Sequence, residues 1–540
     1  MKKILALVLV LAMALSLVAC GGSSTNTPAA PAAPEAGNAA PEAGNAAPAT
    51  TQDTLIIRGS GDPMSFNPSA AADDNYYYAA MNMFHRLAKL DASKSPVPDA
   101  AESWEVSEDA LTITWHLKKN LTWTDGEPLN AEDVKYTFDY IKENSTCYFS
   151  SSMAIVDSIE IVDDYTVVFH MNTADVSFVA RAAWYATFIL PEHIFNNGQK
   201  WEDNPASTDP SKIVSSGPYK MESYTQGSNI TLVARDDYAE VTPAIKKLIF
   251  AIIPDDATAI QALLNGELDY LQNVPAAYTE QLLNDPNYRM IQDVYPSPYR
   301  FIFNMENEVI ADLAVRKAIT LCVDRNEISQ KVYQGIMPPE WSAYPSIVDW
   351  AANTTDIYPD QNIEEAMKVL EAAGYTKDAD GYYIRGITWD VFEGLEDMVN
   401  LIIDDCKSAG IEITMILSEY NAWAEKVGPG GDYMIEAQGG FMGPDPAALA
   451  SRYGTGSGSN YGMWSNAEFD RLCAEAAATG DQAKRAELYR AAQKIMIEEL
   501  PAVNVVGYAS YTVMPAGAKN MPEDGAGKWG WADYCYAYFE

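Results

Sequence analysis

Residues able to carry out chemistry are few in this sequence, and they are scattered. It holds four histidines, His85, His116, His170 and His193, and six cysteines, Cys20, Cys147, Cys322, Cys406, Cys473 and Cys535. No histidine has a partner at metal-ligand spacing and no CxxC occurs, so the pattern is neither a zinc site nor a disulfide scaffold. His116 and His170 fall inside strand patterns and read as sheet residues. The five cysteines after Cys20 are odd in number and widely spaced, which predicts reduced core residues. A Walker A loop, an HExxH helix and a GxSxG elbow are all absent. Gly454, Gly456 and Gly458 lie between Ser/Thr and Asn-Tyr without the strand–helix frame that holds a phosphate, and read as a loop. Carboxylates are too abundant for any pair of them to signal acid–base work. The expectation is a chain without a metal, a cofactor or catalysis; a hydrolase is the weaker alternative.

One cysteine stands apart. Lys2 and Lys3 precede an apolar stretch from Ile4 to Val18 that is too short and wrongly flanked for an ordinary membrane span, so residues 1–19 read as a signal peptide. The stretch ends at Leu17-Val18-Ala19-Cys20, followed by Gly21-Gly22-Ser23-Ser24. This resembles a bacterial lipobox, which implies cleavage before Cys20, lipid on its thiol, and anchoring on the outer face of the cell membrane. Residues 20–52 are rich in Ala, Pro, Gly, Asn, Ser and Thr and repeat Ala-Ala-Pro-Glu-Ala-Gly-Asn at 32–38 and 39–45. With little bulky apolar surface to offset the ordering entropy, they predict a flexible tether spanning roughly 30 Å.

The elements that must position any site lie beyond the tether. A hydrophobic content of 48% and an aromatic content of 11% can build a large core, and a length of 540 residues argues for more than one lobe. With 36 basic against 75 acidic residues the formal charge is −39, a surface that repels nucleic acid and anionic lipid. Strands are expected at Thr54–Ile57, Leu111–Leu117, Tyr165–Met171, Ile230–Ala234, Lys247–Ile253 and Ile411–Leu417. Helices are expected to start at Asn130, Asn362, Ser465 and Asp481, where a capping residue precedes an apolar stripe, and a further one to cover Asp397–Ala409. Helix, Gly410 and strand in succession make an α/β unit.

From about Asp53 to Phe539 the chain resembles the oligopeptide/dipeptide/nickel family of solute-binding proteins that serve ABC importers. The most specific stretch runs from Pro98-Asp99-Ala100-Ala101-Glu102-Ser103-Trp104 to Leu121-Thr122-Trp123-Thr124-Asp125-Gly126-Glu127-Pro128-Leu129-Asn130-Ala131-Glu132-Asp133-Val134. Gly217-Pro218-Tyr219, Asn265-Gly266-Glu267-Leu268-Asp269, Val315-Arg316-Lys317-Ala318, Asp324-Arg325, Ala372-Ala373-Gly374-Tyr375 and Glu499-Leu500-Pro501-Ala502 follow in the family's order. The resemblance implies an α/β, two-lobed periplasmic-binding-protein-like fold. Lobe I would comprise 53–83, 200–295 and 504–540, with an extra subdomain at 84–199, and lobe II 296–503. Hinge crossings are expected near Tyr295–Phe303, which holds Pro296-Ser297-Pro298, and near Val503–Tyr508. Thr124–Pro128 reads as a turn into the capped helix at Asn130.

The implied function is capture of a peptide or similar small solute between closing lobes and its delivery to ABC permease subunits by a monomer, with no nucleic-acid partner. A surface lipoprotein for sensing or adhesion is the alternative on the same fold. In peptide-binding relatives an aspartate after a Gly-Trp segment pairs with the ligand amine. Here the matching stretch is Gly439-Gly440-Phe441-Met442-Gly443-Pro444-Asp445-Pro446, with Phe441 in place of Trp and a shortened spacing. Asp445 is therefore either the amine partner or the aspartate of an Asp-Pro turn. Phe441 and Met442 suit an adaptable apolar pocket. Asp73, Asp74, Tyr148 and Trp423 match cleft positions, against loop or core packing as the alternative, and the carboxylates would suit an amine-bearing solute.

Overall fold

The computed structural model describes residues 50–70, 73–91, 95–184, 186–522 and 533–540. The signal peptide, Cys20 and the tether up to residue 49 lie outside the described residues. The last tether residues are tied down: Thr51 N–H donates to Phe539 O at 3.0 Å, and Thr50 Oγ1 accepts from Phe539 N–H at 3.1 Å.

Two large hydrophobic cores are separate from one another. The first gathers Leu55, Trp115, Trp123, Phe138, Tyr219 and Leu248 with C-terminal residues such as Met514 and Tyr534. The second gathers Phe301, Ile319, Trp389, Ile402, Tyr489 and Val503. Over the first core lies a four-stranded sheet in the order Thr54–Gly59, Lys247–Ile252, Asn229–Ala234, Tyr219–Thr225, the first pair parallel and the others antiparallel. A second, wholly antiparallel sheet, Ala101–Val106, Thr112–Leu117, Thr166–Met171 and Val156–Asp163, shares that core. The second core surrounds a mixed five-stranded sheet in the order Ile411–Ser418, Ile384–Phe392, Ile435–Gln438, Tyr288–Phe303, Ala502–Pro515. This is the α/β two-lobed architecture expected.

The last two strands of that sheet connect the cores. Tyr288–Phe303 and Ala502–Pro515 pair antiparallel, with Tyr288 to Val294 opposite Pro515 to Ala509 and Pro298 to Ile302 opposite Gly507 to Ala502. The ladder breaks between Val294 and Pro298. Pro296 and Pro298 have no N–H to donate, which accounts for an interruption at this place. Met290 and Val513 on one side of the break pack in a small cluster with Leu263 and Leu271, while Phe301 and Val503 on the other side belong to the second core.

Local signals act as expected at most helix ends. Asn130 and Asp133 form a reciprocal capping box for the helix Ala131–Glu143, and Asp133 Oδ2 also accepts from Trp123 Nε1 at 3.1 Å. This ties the Trp123–Pro128 turn, where Gly126 has φ +98°, to the helix it feeds. Asp481 caps Gln482–Glu499 and Asn362 caps Ile363–Ala372. The helix expected to open at Ser465 instead spans Ala467–Ala477 and is capped by Asn466, whose Oδ1 accepts from Glu468 and Phe469 N–H at 3.0 Å each. Ser465 is diverted, its Oγ bonded to Thr455 Oγ1. All five described cysteines are free and buried.

Candidate ligand-binding cleft

The strand Ile435–Gln438 runs straight into the loop Gly439–Pro446, and that loop meets the strand pair at its break. Met442 N–H donates to Pro296 O at 2.7 Å, and Tyr344 Oη donates to Gly443 O at 2.6 Å. A Cβ on Gly439 would stand 2.6 Å from Tyr299 Cε1, so only glycine lets the loop pass this close to the crossing. Tyr295, Tyr299 and Tyr508 form an aromatic row there, with ring centroids 5.3 and 5.9 Å apart from that of Tyr508, and burial raises all three phenols above their ordinary range.

Opposite the loop stands Trp184, from the first core's side of the molecule. Its ring stacks on Phe441 with centroids 4.5 Å apart and planes at 11°. Val176 N–H donates to Ala477 O at 3.1 Å, a second contact between the same two sides. Tyr148, 54% exposed, acts electrostatically on both Tyr77 and Arg452, which places it at this border too. Aromatic surface with a few oriented polar groups is the composition of a small-solute site.

The other expected site residues are placed as follows. Met442 is 1% exposed, and its Sδ accepts from Arg300 Nη1 at 3.1 Å. Asp445 turns away from Phe441: both its oxygens accept from Arg485 Nη2, at 2.8 and 2.9 Å, and Oδ1 also accepts from Ala447 N–H. Of its two readings, the carboxylate makes the contacts of the turn-holding one. Asp73 caps the helix Asp74–Met83, accepting from Asn75 N–H and, across the turn, from Met64 N–H at 2.7 Å, while Asp74 sits exposed in the first turn. Trp423 is buried with Val427 and Tyr433 beneath Phe392, 4.9 Å away, in core packing at the sheet edge.

Sequence reasoning passed over three polar side chains beside the loop. Arg300 is fully buried on the strand Tyr288–Phe303, opposite Gln438. Arg452, from the helix Ala448–Tyr453, donates to Phe441 O at 2.9 Å. Glu436, also fully buried, accepts from Gln438 Nε2 at 2.8 Å. Burial pushes the Glu436 carboxyl up to about 8, against the pull of Arg300 and Gln438 and with a further push from Asp390. The available signal was a lone arginine inside the apolar run Tyr299–Phe303. Among the described residues, no group of three or more His, Cys, Asp or Glu could hold a metal ion.

Residues 95–461 match the family model of bacterial extracellular solute-binding proteins, family 5. The chain is 26% identical over 514 residues to the dipeptide-binding protein of Escherichia coli K12, covering 88% of this chain and 93% of that one. It is 24% identical over 505 residues to the oligopeptide-binding protein OppA of Bacillus subtilis 168, covering 88% and 91%. Among solved structures, the ABC transporter substrate-binding protein CtaP of Listeria monocytogenes superposes with a TM-score of 0.80 at 24% identity, covering 90% of this chain and 99% of that one, a likeness of fold.

Proposed function

The chain belongs to the bacterial extracellular solute-binding proteins of family 5, and from that premise we propose that it is the receptor subunit of an ABC importer. It captures a peptide or similar small solute between two closing lobes and delivers it to membrane permease subunits, without turnover. The observation that carries this reading is the Trp184–Phe441 stack, which joins two sides with separate cores at a strand pair interrupted at Pro296-Ser297-Pro298. Two independently packed bodies on two crossing strands can rotate with little loss of core packing. In this reading lobe I is 53–83, 200–295 and 504–540 with its subdomain at 84–199, and lobe II is 296–503. Phe441, Tyr148 and Trp184 line the cleft, with Met442 buried behind Phe441 and Asp74 at the rim.

Solute released from the purified protein and identified by mass spectrometry tests the reading. A binding solute should also shrink the radius of gyration in solution scattering; confirmed binding with an unchanged profile would argue against a closing cleft. The anchor belongs to the same proposal: lipid on Cys20 holds the receptor at the outer face of the membrane. Among the described residues no helix is long and apolar enough to cross a membrane. Cys20→Ala should release the protein from the membrane fraction with binding unchanged. Wild type and variant fractionating alike, with no lipid-dependent mass difference, would remove the anchor.

A further inference from the structure

We propose that Arg300 and Arg452 form an oxyanion subsite in the cleft, which takes a carboxylate of the captured solute. This rests on the reading of the cleft as the solute site and deepens it.

The argument begins with an incomplete hydrogen-bond inventory. A guanidinium has five N–H donors and no acceptor. Arg300 is 0% exposed, and among the described residues its guanidinium makes one hydrogen bond, from Nη1 to Met442 Sδ, a weak acceptor. Its Nε and Nη2 are buried without partners. Among the described residues no other arginine has two such nitrogens. Leaving charged donors unpaired in the interior costs more than a neutral orphan does, so their arrangement needs an explanation beyond packing.

The second observation is convergence. Nη2 of Arg300 and Nη2 of Arg452 lie 3.6 and 4.0 Å from the point where a Cβ on Gly440 would sit. Two cations thus face a loop position that carries no side chain, next to Phe441 in the chain. Arg452 has spent one donor on Phe441 O, and burial together with Arg300 holds it below the usual guanidinium range. Glu436 is the carboxyl that feels Arg300, but among the described residues no ion pair joins the two, and burial raises it to about 8, which keeps it largely protonated at neutral pH. The two arginines therefore repel each other with no protein anion to compensate. A carboxylate between them supplies two acceptor oxygens in the planar geometry that guanidinium groups match. The Arg300 end of the pair is withdrawn from solvent, which strengthens a charge pairing made there.

A carboxylate could come from a peptide C-terminus or from a free organic acid. The test offers the purified full chain three probes: a mixture of tripeptides with free termini, the same mixture with C-terminal amides, and glutarate. Retention is read by native mass spectrometry and affinity by calorimetry. The free-acid peptides should bind roughly tenfold or more tightly than the amides. Arg300→Gln should erase that preference and Arg300→Lys should retain part of it. Glutarate bound in place of the peptides, with the same loss in Arg300→Gln, supports the subsite with an organic acid as its source. Acids and amides held equally, or a preference that survives in both Arg300→Gln and Arg452→Gln, would overturn the subsite and leave solute binding intact. Retention of none of the probes by wild type counts against both readings. The amide comparison needs no variant, so a poorly folding substitution does not blunt the test.

Discussion

Two buried arginines flank the loop Gly439–Pro446, and their surroundings are opposites. Arg485 gives Nη2 to both oxygens of Asp445, gives Nε to Ala476 O at 3.1 Å, and lies over the rings of Trp350 and Tyr489. Burial opposes its charge, but Asp445 and Tyr489 lift it above the ordinary guanidinium range. The Arg300 guanidinium, at the other end of the loop, has only a thioether as partner among the described residues. The Asp445 end is a closed structural knot; the Gly440 end is left open for something outside the chain. One short loop thus separates the residues that hold the cleft's shape from those that face its contents, and burial alone does not tell the two apart.

The largest expected effect falls on the closed end. Arg485→Met leaves the Asp445 carboxylate, 11% exposed, without its counter-charge. Breaking such a buried pair costs about 3–5 kcal/mol, readable as a lower urea midpoint. A loss below about 1 kcal/mol would make the pair no tighter than a surface one and dissolve the contrast.

Next comes a pH effect at the open end. The Glu436 carboxyl, ordinarily near 4.5, is raised to about 8 in the folded protein. Between those values the native state holds a proton that the unfolded chain has lost, so stability should fall as pH rises. The slope is roughly 1.4 kcal/mol per pH unit at its steepest, and it flattens above about pH 8. Glu436→Gln mimics the protonated form and should flatten this component while changing little at pH 5. An identical pH profile in wild type and variant would show that Glu436 is not the titrating group.

These two ends were not equally legible in the sequence. Caps at Asn130, Asn362 and Asp481 are local bonds between near neighbours, so residue type and spacing were enough. At Ser465-Asn466 both residues can cap, and only a bond from Ser465 to Thr455, outside the helix, decides between them. The long strand Tyr288–Phe303 was seen only as a crossing at Tyr295–Phe303. Prolines interrupt its alternation, and its partner Ala502–Pro515 lies some 200 residues away, with Ile302 opposite Ala502. Asp445 carries a motif, yet its partner Arg485 comes from the distant helix Gln482–Glu499 and has no motif of its own. Arg300 carries none at all; what makes it unusual is the absence of partners, which is a property of the assembled interior and not of any window of sequence.

A smaller effect concerns the contact that joins the two sides of the cleft. Stacked aromatic pairs contribute about 0.5–1.5 kcal/mol beyond the area they bury. Trp184→Ala should therefore shift the solute-free protein toward a more open form, with a larger radius of gyration in scattering and a melting temperature close to wild type. A collapse in melting temperature would instead mark Trp184 as a core residue and not a cleft contact.

The smallest effect on stability should come from removing the arginine that is most deeply buried. Arg300→Met takes away one bond to Met442 Sδ and an attraction to Glu436 that is weak while that carboxyl is protonated. In return it removes two unpaired buried donors and the repulsion of Arg452. Apolar replacement of poorly compensated buried charge is often neutral or stabilising. At pH 6 and without solute the variant should therefore unfold within about 1 kcal/mol of wild type or later, measured beside Arg485→Met under the same conditions. Because the two positions flank one loop and both adjoin the second core, the pair of values controls for burial and side-chain volume. A loss of several kcal/mol in Arg300→Met would mean that Arg300 is paired in solution, through ordered water to Glu436. It would then belong with Arg485 among the residues that hold the loop, and the division between the loop's two ends would fail.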